Sequence, residues 1–112
     1  MTEKGKKYLS DILIATELIE NFVADTKDFK EYEGDLKTQS AIERQLAIVG
    51  EALNKLKSVE PNLILQNDKQ IIAFRNRLVH AYDRIDNSIV WGWLLKNIFQ
   101  NLRKRLLNYN RY

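Results

Sequence analysis

Residues 41–56 read AIERQLAIVGEALNKL, and their spacing predicts a helix. Ala41, Ile42, Leu46, Val49, Ala52, Leu53 and Leu56 recur every three or four positions and form one apolar stripe. The helix is expected to start near Asp35 or Thr38, and Pro61 closes the segment. Gly50 falls in its middle. A glycine there costs ~1 kcal/mol relative to alanine, so its presence points to another helix approaching closely.

Reading outward, Tyr8, Leu9, Ile12, Ala15, Ile19, Phe22 and Val23 place a first helix over about residues 4–24. The acidic stretch DTKDFKEYEGD (residues 25–35) reads as a connection with room for one short turn, broken by Gly34. Residues 57–67 read as a loop, or as a short helix at 61–65. A third long helix begins near Asn67 or Asp68, carries Ile71, Ile72, Phe74, Leu78 and Val79, and ends around 81–83. RIDNS then turns the chain. One last helix is expected over about residues 88–108, with Trp91, Trp93, Leu94, Leu95, Ile98, Phe99, Leu102 and Leu106.

Long helices on short links imply an all-α antiparallel bundle of four or five helices, a single domain over residues 1–112. Four glycines and one proline are too few for the turns of a β-protein of this length. The last helix is apolar on more than one face near Trp91–Leu95, more than so small a domain is expected to cover. That surplus predicts a homodimer. No run of about 18 apolar residues offers a membrane span. The polar start, residues 1–7, does not read as a signal peptide. The expected location is therefore cytoplasmic.

Composition removes several chemistries. There is no cysteine, hence no disulfide, thiolate metal site or thiol nucleophile. A single histidine, His80, leaves no multi-histidine metal centre within a chain. The net charge of +3 is uneven: eleven acidic against eight basic residues up to position 56, then four against ten. Arginine concentrates in the second half, six against one. Its planar fork suits phosphate recognition, although one basic helix is also an ordinary feature of helical proteins.

The chemistry concentrates in RNRLVHAYDR, residues 75–84. Asn76 and His80 lie about 40° apart on a helix, and Arg75 lies about 140° round from His80. Arg75 would have to curl to join that histidine, or meet one from another subunit. A proton carrier beside cations fits RNA cleavage without a metal, because the substrate brings its own 2′-hydroxyl nucleophile. One histidine does half of the acid–base work, and two chains could supply both halves. The same residues also fit a structural role, since a histidine near a helix C-terminus is favoured by the dipole.

Two stretches resemble a known family. IIAFRNRLVHAYDRID (residues 71–86) resembles the Arg-x4-His-x-Tyr signature of the HepT-like group of HEPN (higher eukaryotes and prokaryotes nucleotide-binding) domains, matched by Arg75, Asn76, His80 and Tyr82. Residues 41–56 resemble that group's Ile-Gly-Glu-Ala helix. The resemblance covers essentially the whole chain. It implies a dimeric helical bundle with both motifs facing a shared cleft. It also implies a ribonuclease toxin whose antitoxin partner, an MntA-type nucleotidyltransferase, transfers AMP onto Tyr82.

On this reading Arg75 stabilises the transition-state phosphate, Asn76 positions it or orients His80, and His80 is general acid or base, with no cofactor and no metal. Arg77, Arg84, Arg103, Lys104 and Arg105 are candidates for the RNA backbone, although the last three also suit a solvated helix end. The alternative is a non-catalytic helical module that binds nucleotide or substrate and docks a nucleotidyltransferase.

Overall fold

Asp35 starts the helix on which the rest is assembled. Its carboxylate accepts the backbone N–H of Thr38 at 3.0 Å and the Thr38 hydroxyl at 2.6 Å, an N-cap that satisfies an otherwise orphaned donor. In the computed structural model, which describes residues 1–65, 67–80 and 86–110, this helix is the third of six. They are α1 (Glu3–Val23), α2 (Phe29–Glu33), α3 (Leu36–Val59), α4 (Asp68–His80), α5 (Asn87–Leu95) and α6 (Ile98–Asn110). The side chains of residues 79, 80, 109 and 110 are outside the description. There is no strand among the described residues.

Most of the expected stripe residues are buried, although Phe22 is exposed and Tyr8, Val23 and Ala41 are half-buried. Ile42, Leu46, Val49, Ala52, Leu53 and Leu56 of α3 meet Leu9, Ile12, Ala15 and Ile19 of α1 in one core. Ion pairs and hydrogen bonds give the directions. Glu60, just past α3, accepts the backbone N–H of Thr2, just before α1, at 3.2 Å, so α1 and α3 are antiparallel. Lys57 pairs with Asp68 at 2.9 Å, and Glu51 pairs with Arg75 further along α4; α3 and α4 are antiparallel too. Glu20 holds Arg103 at 2.8 Å, and Val23 and Asn97 line one small cleft, which runs α6 antiparallel to α1. The long helices therefore pack in the order α4, α3, α1, α6, within 42 × 28 × 19 Å.

One expectation needs correction. The last helix is not continuous. Asn97 takes a left-handed backbone, φ 54°, and separates α5 from α6. The Lys96 and Asn97 N–H groups close α5 on the carbonyls of Gly92 and Leu94, and Asn97 then accepts the first α6 bond from Asn101. Asparagine is among the few residues that tolerate this conformation. The bend lets Ile98, Phe99, Leu102 and Leu106 reach the core.

The acidic connection holds one short helical turn, as its reading allowed. It contains α2, whose Tyr32 is fully buried and stacks on Trp91 with ring centroids 5.5 Å apart. The Gln39 side-chain amide donates to the carbonyls of Tyr32 and Glu33, at 2.8 and 2.9 Å, while its oxygen accepts Asn87 Nδ2 at 3.2 Å. One glutamine thus ties α2, α3 and α5 together. Burial, with help from the carboxylates of Glu43 and Asp35, pushes the Tyr32 phenol up, so it stays protonated. Residues 61–65 form a turn rather than a helix, and Leu63 and Leu65 are buried in it.

The aromatic surplus of α5 is partly covered from within. Trp91 lies on Tyr32, and Trp93 meets Phe74 of α4 at 5.1 Å and Phe99 of α6 at 6.4 Å, both edge-on. What remains open on α5 is chiefly Ile89 and Leu95, the latter 67% exposed.

The α3 cap carries an acid-dependent expectation. Hydrogen bonds from the Thr38 hydroxyl and backbone N–H hold the Asp35 carboxyl below its ordinary value of 3.8. A lowered carboxyl stabilises the fold above its unfolded-state pKa, and that contribution is lost as pH falls through the folded one. Asp35→Ala should therefore lower the melting temperature at pH 7. The gap from wild type should shrink below about pH 4. Melting curves followed by circular dichroism check this; a gap that persists undiminished into acid would contradict it.

Candidate active site

The motif arginine sits where α4 crosses α3. A Cβ placed on Gly50 would lie 2.8 Å from Arg75 Cγ and 3.2 Å from the Ile71 carbonyl oxygen, and closer still to Arg75 Cβ. Only a residue without a side chain lets the two helices approach so closely. The mid-helix glycine of residues 41–56 is explained by the motif helix lying against it. Ile71 and Phe74 anchor that helix in the core.

Arg75 is consequently not a free surface cation. Its side chain is 23% exposed, and its Nη2 forms an ion pair with Oε2 of Glu51. Its Nη1 donates to Asn76 Oδ1 at 3.0 Å. Glu51 is shared: its Oε1 holds Lys55 Nζ at 3.2 Å. Sequence reasoning anticipated Arg75 and Asn76 but placed no role on Glu51. The available signal was its place in the Val49–Ala52 stretch, which resembles the family's Ile-Gly-Glu-Ala helix.

Arg75 lines a groove of about 540 Å³ between α1, α3 and α4, together with Tyr8, Glu43, Arg44, Glu51 and Lys55. The Nζ atoms of Lys7 and Lys55 lie 5.5 and 5.9 Å from the centroid of the Tyr8 ring, within cation–π range. Burial pushes the Glu43 carboxyl up. The groove thus joins cations, carboxylates and an aromatic face beside the motif arginine, a surface able to receive a phosphate and a neighbouring ring.

The other anticipated residues divide. His80 is the last helical residue of α4, and its side chain lies outside the description. Tyr82 and Arg84 lie outside the described residues. Arg77 is exposed. Arg103 is drawn against α1 by Glu20, with its side chain 25% exposed, and so tethers α6. Lys104 and Arg105 are exposed on the same helix. Among the described residues, none from α6 lines the Arg75 groove. Among the described residues no cluster of three metal-ligating side chains occurs, and no helix is long and apolar enough to cross a membrane.

Comparison with known proteins accords with this geometry. A family model described as "Ribonuclease HepT-like" matches residues 12–107. A Thermococcus cleftensis protein named "Probable ribonuclease HepT" is 35% identical over 93% of this chain and the whole of its own length. Two Methanocaldococcus jannaschii proteins, each named as a "Putative RNase", are 30% and 31% identical, over 88% and 77% of this chain and 82% and 74% of theirs. No solved structure gives a significant match. With the family model spanning residues 12–107 and a relative covered from end to end, the chain belongs to the ribonuclease HepT-like family.

Proposed function

We propose that this chain is a metal-independent endoribonuclease, the toxin of a cytoplasmic toxin–antitoxin pair, and that it works as a homodimer of single-domain chains. Family membership carries the reading, and the presentation of Arg75 on a groove wall supports it. The 2′-hydroxyl of the RNA attacks the adjacent phosphorus, the 5′-oxygen of the next nucleotide leaves, and a 2′,3′-cyclic phosphate remains. His80 exchanges the protons, one histidine from each chain serving as base or acid. Arg75 neutralises the charge that builds on the phosphate oxygens, and Asn76 orients the Arg75 guanidinium through its 3.0 Å hydrogen bond. Arg77, Arg84, Lys104 and Arg105 attract the RNA backbone, whereas the Glu20 pair reserves Arg103 for packing. The exposed Ile89 and Leu95 belong to the dimer surface.

Control falls to Tyr82. An MntA-type nucleotidyltransferase transfers AMP from ATP to its phenolic oxygen, releasing pyrophosphate. The added phosphate competes with RNA for the motif arginines.

The test uses the purified chain and a defined RNA. Cleavage should persist in EDTA, leave cyclic phosphate ends and fail when the attacking 2′-hydroxyl is replaced by hydrogen. Tyr82→Phe should still cleave, yet resist neutralisation by the nucleotidyltransferase with ATP. Loss of cleavage in EDTA, or scission of the deoxy substrate, would refute the mechanism. A chain that binds the nucleotidyltransferase but never cuts RNA would support the non-catalytic module instead. Full neutralisation of Tyr82→Phe would remove Tyr82 as the switch.

A further inference from the structure

We infer that Glu51 is a positioning residue for RNA cleavage, acting by holding the Arg75 guanidinium at the α1–α3–α4 groove; this rests on the proposed ribonuclease reading. Both ends of the arginine side chain are constrained by α3. At the stem, Arg75 Cβ and Cγ occupy the space that Gly50 leaves vacant. At the tip, Nη2 is paired with Glu51 Oε2 while Nη1 is bonded to Asn76. Glu51 is itself restrained, because its other oxygen holds Lys55 Nζ at 3.2 Å one turn further along α3. Rotation of the carboxylate toward either cation would loosen the other.

A guanidinium has five N–H donors in one plane. With one nitrogen committed to Glu51 and another to Asn76, the orientation of that plane is set before substrate arrives. Donors left over by those two bonds remain available to a phosphate. Such preorganisation matters for rate because a fixed donor need not reorganise as charge develops. A carboxylate beside a phosphate-binding arginine also lowers its net charge, which by itself would weaken RNA binding. The two effects have opposite signs, so experiment separates them.

Glu51 is exposed enough that the pair contributes little to stability, and alanine is the best helix former. Glu51→Ala should therefore fold. Its kcat should fall ~10–100-fold, the scale of a misplaced group, with KM little changed and the melting temperature close to wild type. Glu51→Gln, which keeps an oxygen for Nη2, should recover most of the rate. In an Arg75→Ala background, Glu51→Ala should cause no further loss, because the group it positions is gone.

A faster Glu51→Ala enzyme would show that the carboxylate only dampens Arg75 and would overturn the inference. Independent, multiplicative losses in the double variant would overturn it as well, as would failure of glutamine to rescue. Should Arg75→Ala itself cleave at the wild-type rate, the ribonuclease role of Arg75 would fall first. Should Arg75→Ala be impaired and Glu51→Ala not, the assignment of Glu51 alone would fall.

Discussion

Arg75→Ala and His80→Ala are each expected to cleave RNA ~10²–10⁴-fold more slowly than the wild-type chain, the range for removing one anion-stabilising or acid–base group. For Arg75 the expectation follows from where the guanidinium is held. It lines the groove, tied to Glu51 and Asn76, so its charge is delivered at a fixed place. Arg75→Lys should restore only part of the loss. An ammonium keeps the charge but cannot engage Glu51, Asn76 and a phosphate through one rigid plane. For His80 the expectation follows from composition: no other histidine and no cysteine exists in the chain to take over proton transfer. Single-turnover cleavage of a labelled RNA measures both. Wild-type rates in either variant would remove that residue from the mechanism.

Gly50→Ala is expected to damage both stability and cleavage. On an isolated helix the change would gain ~1 kcal/mol. Here the new methyl meets the Arg75 stem and, at 3.2 Å, the Ile71 carbonyl oxygen. A backbone carbonyl and a Cβ cannot swing aside, so α4 must shift from α3. Overpacking of this kind costs ~1–3 kcal/mol, and two unyielding neighbours place it toward the upper end. The net loss of ~1–2 kcal/mol corresponds to roughly 4–6 °C in melting temperature per kcal/mol. Cleavage should drop at least as far as in Glu51→Ala, because Arg75 moves with the helix.

Gly92 is the matched control. Among the described residues of one chain nothing lies within 4 Å of a Cβ placed there, so within the chain Gly92→Ala should stabilise α5 by up to ~1 kcal/mol. If Gly50→Ala melted at or above the wild-type temperature, the close approach of α3 and α4 would be wrong.

The long helices were legible in the sequence because each carries its own signal. The stripes of α1, α3 and α4 repeat with the helical period, and Asp35 with Thr38 marks the start of α3 by local hydrogen bonding alone. Arg75 and Asn76 were legible as motif residues, but their mutual hydrogen bond was not, because successive side chains point about 100° apart on a helix and the spacing paired Asn76 with His80 instead. The break at Asn97 was not legible either. The apolar pattern runs through it, and asparagine, although it favours a left-handed cap, also stands inside α1, α3 and α4 of this chain. Nor was the anchoring of α2, whose one buried residue, Tyr32, lies among charged residues and is held by Trp91 and Gln39 from other helices.

The partner of the motif arginine was decided by the tertiary structure alone. Gly50 announced that some helix comes close, without naming it. Only the packing of α4 on α3 brings Arg75 over Gly50 and its guanidinium to Glu51. Residue spacing sets which side chains share a face of one helix, but the register between two helices depends on shape and charge across their contact. A pairing made there leaves no period in the sequence to read.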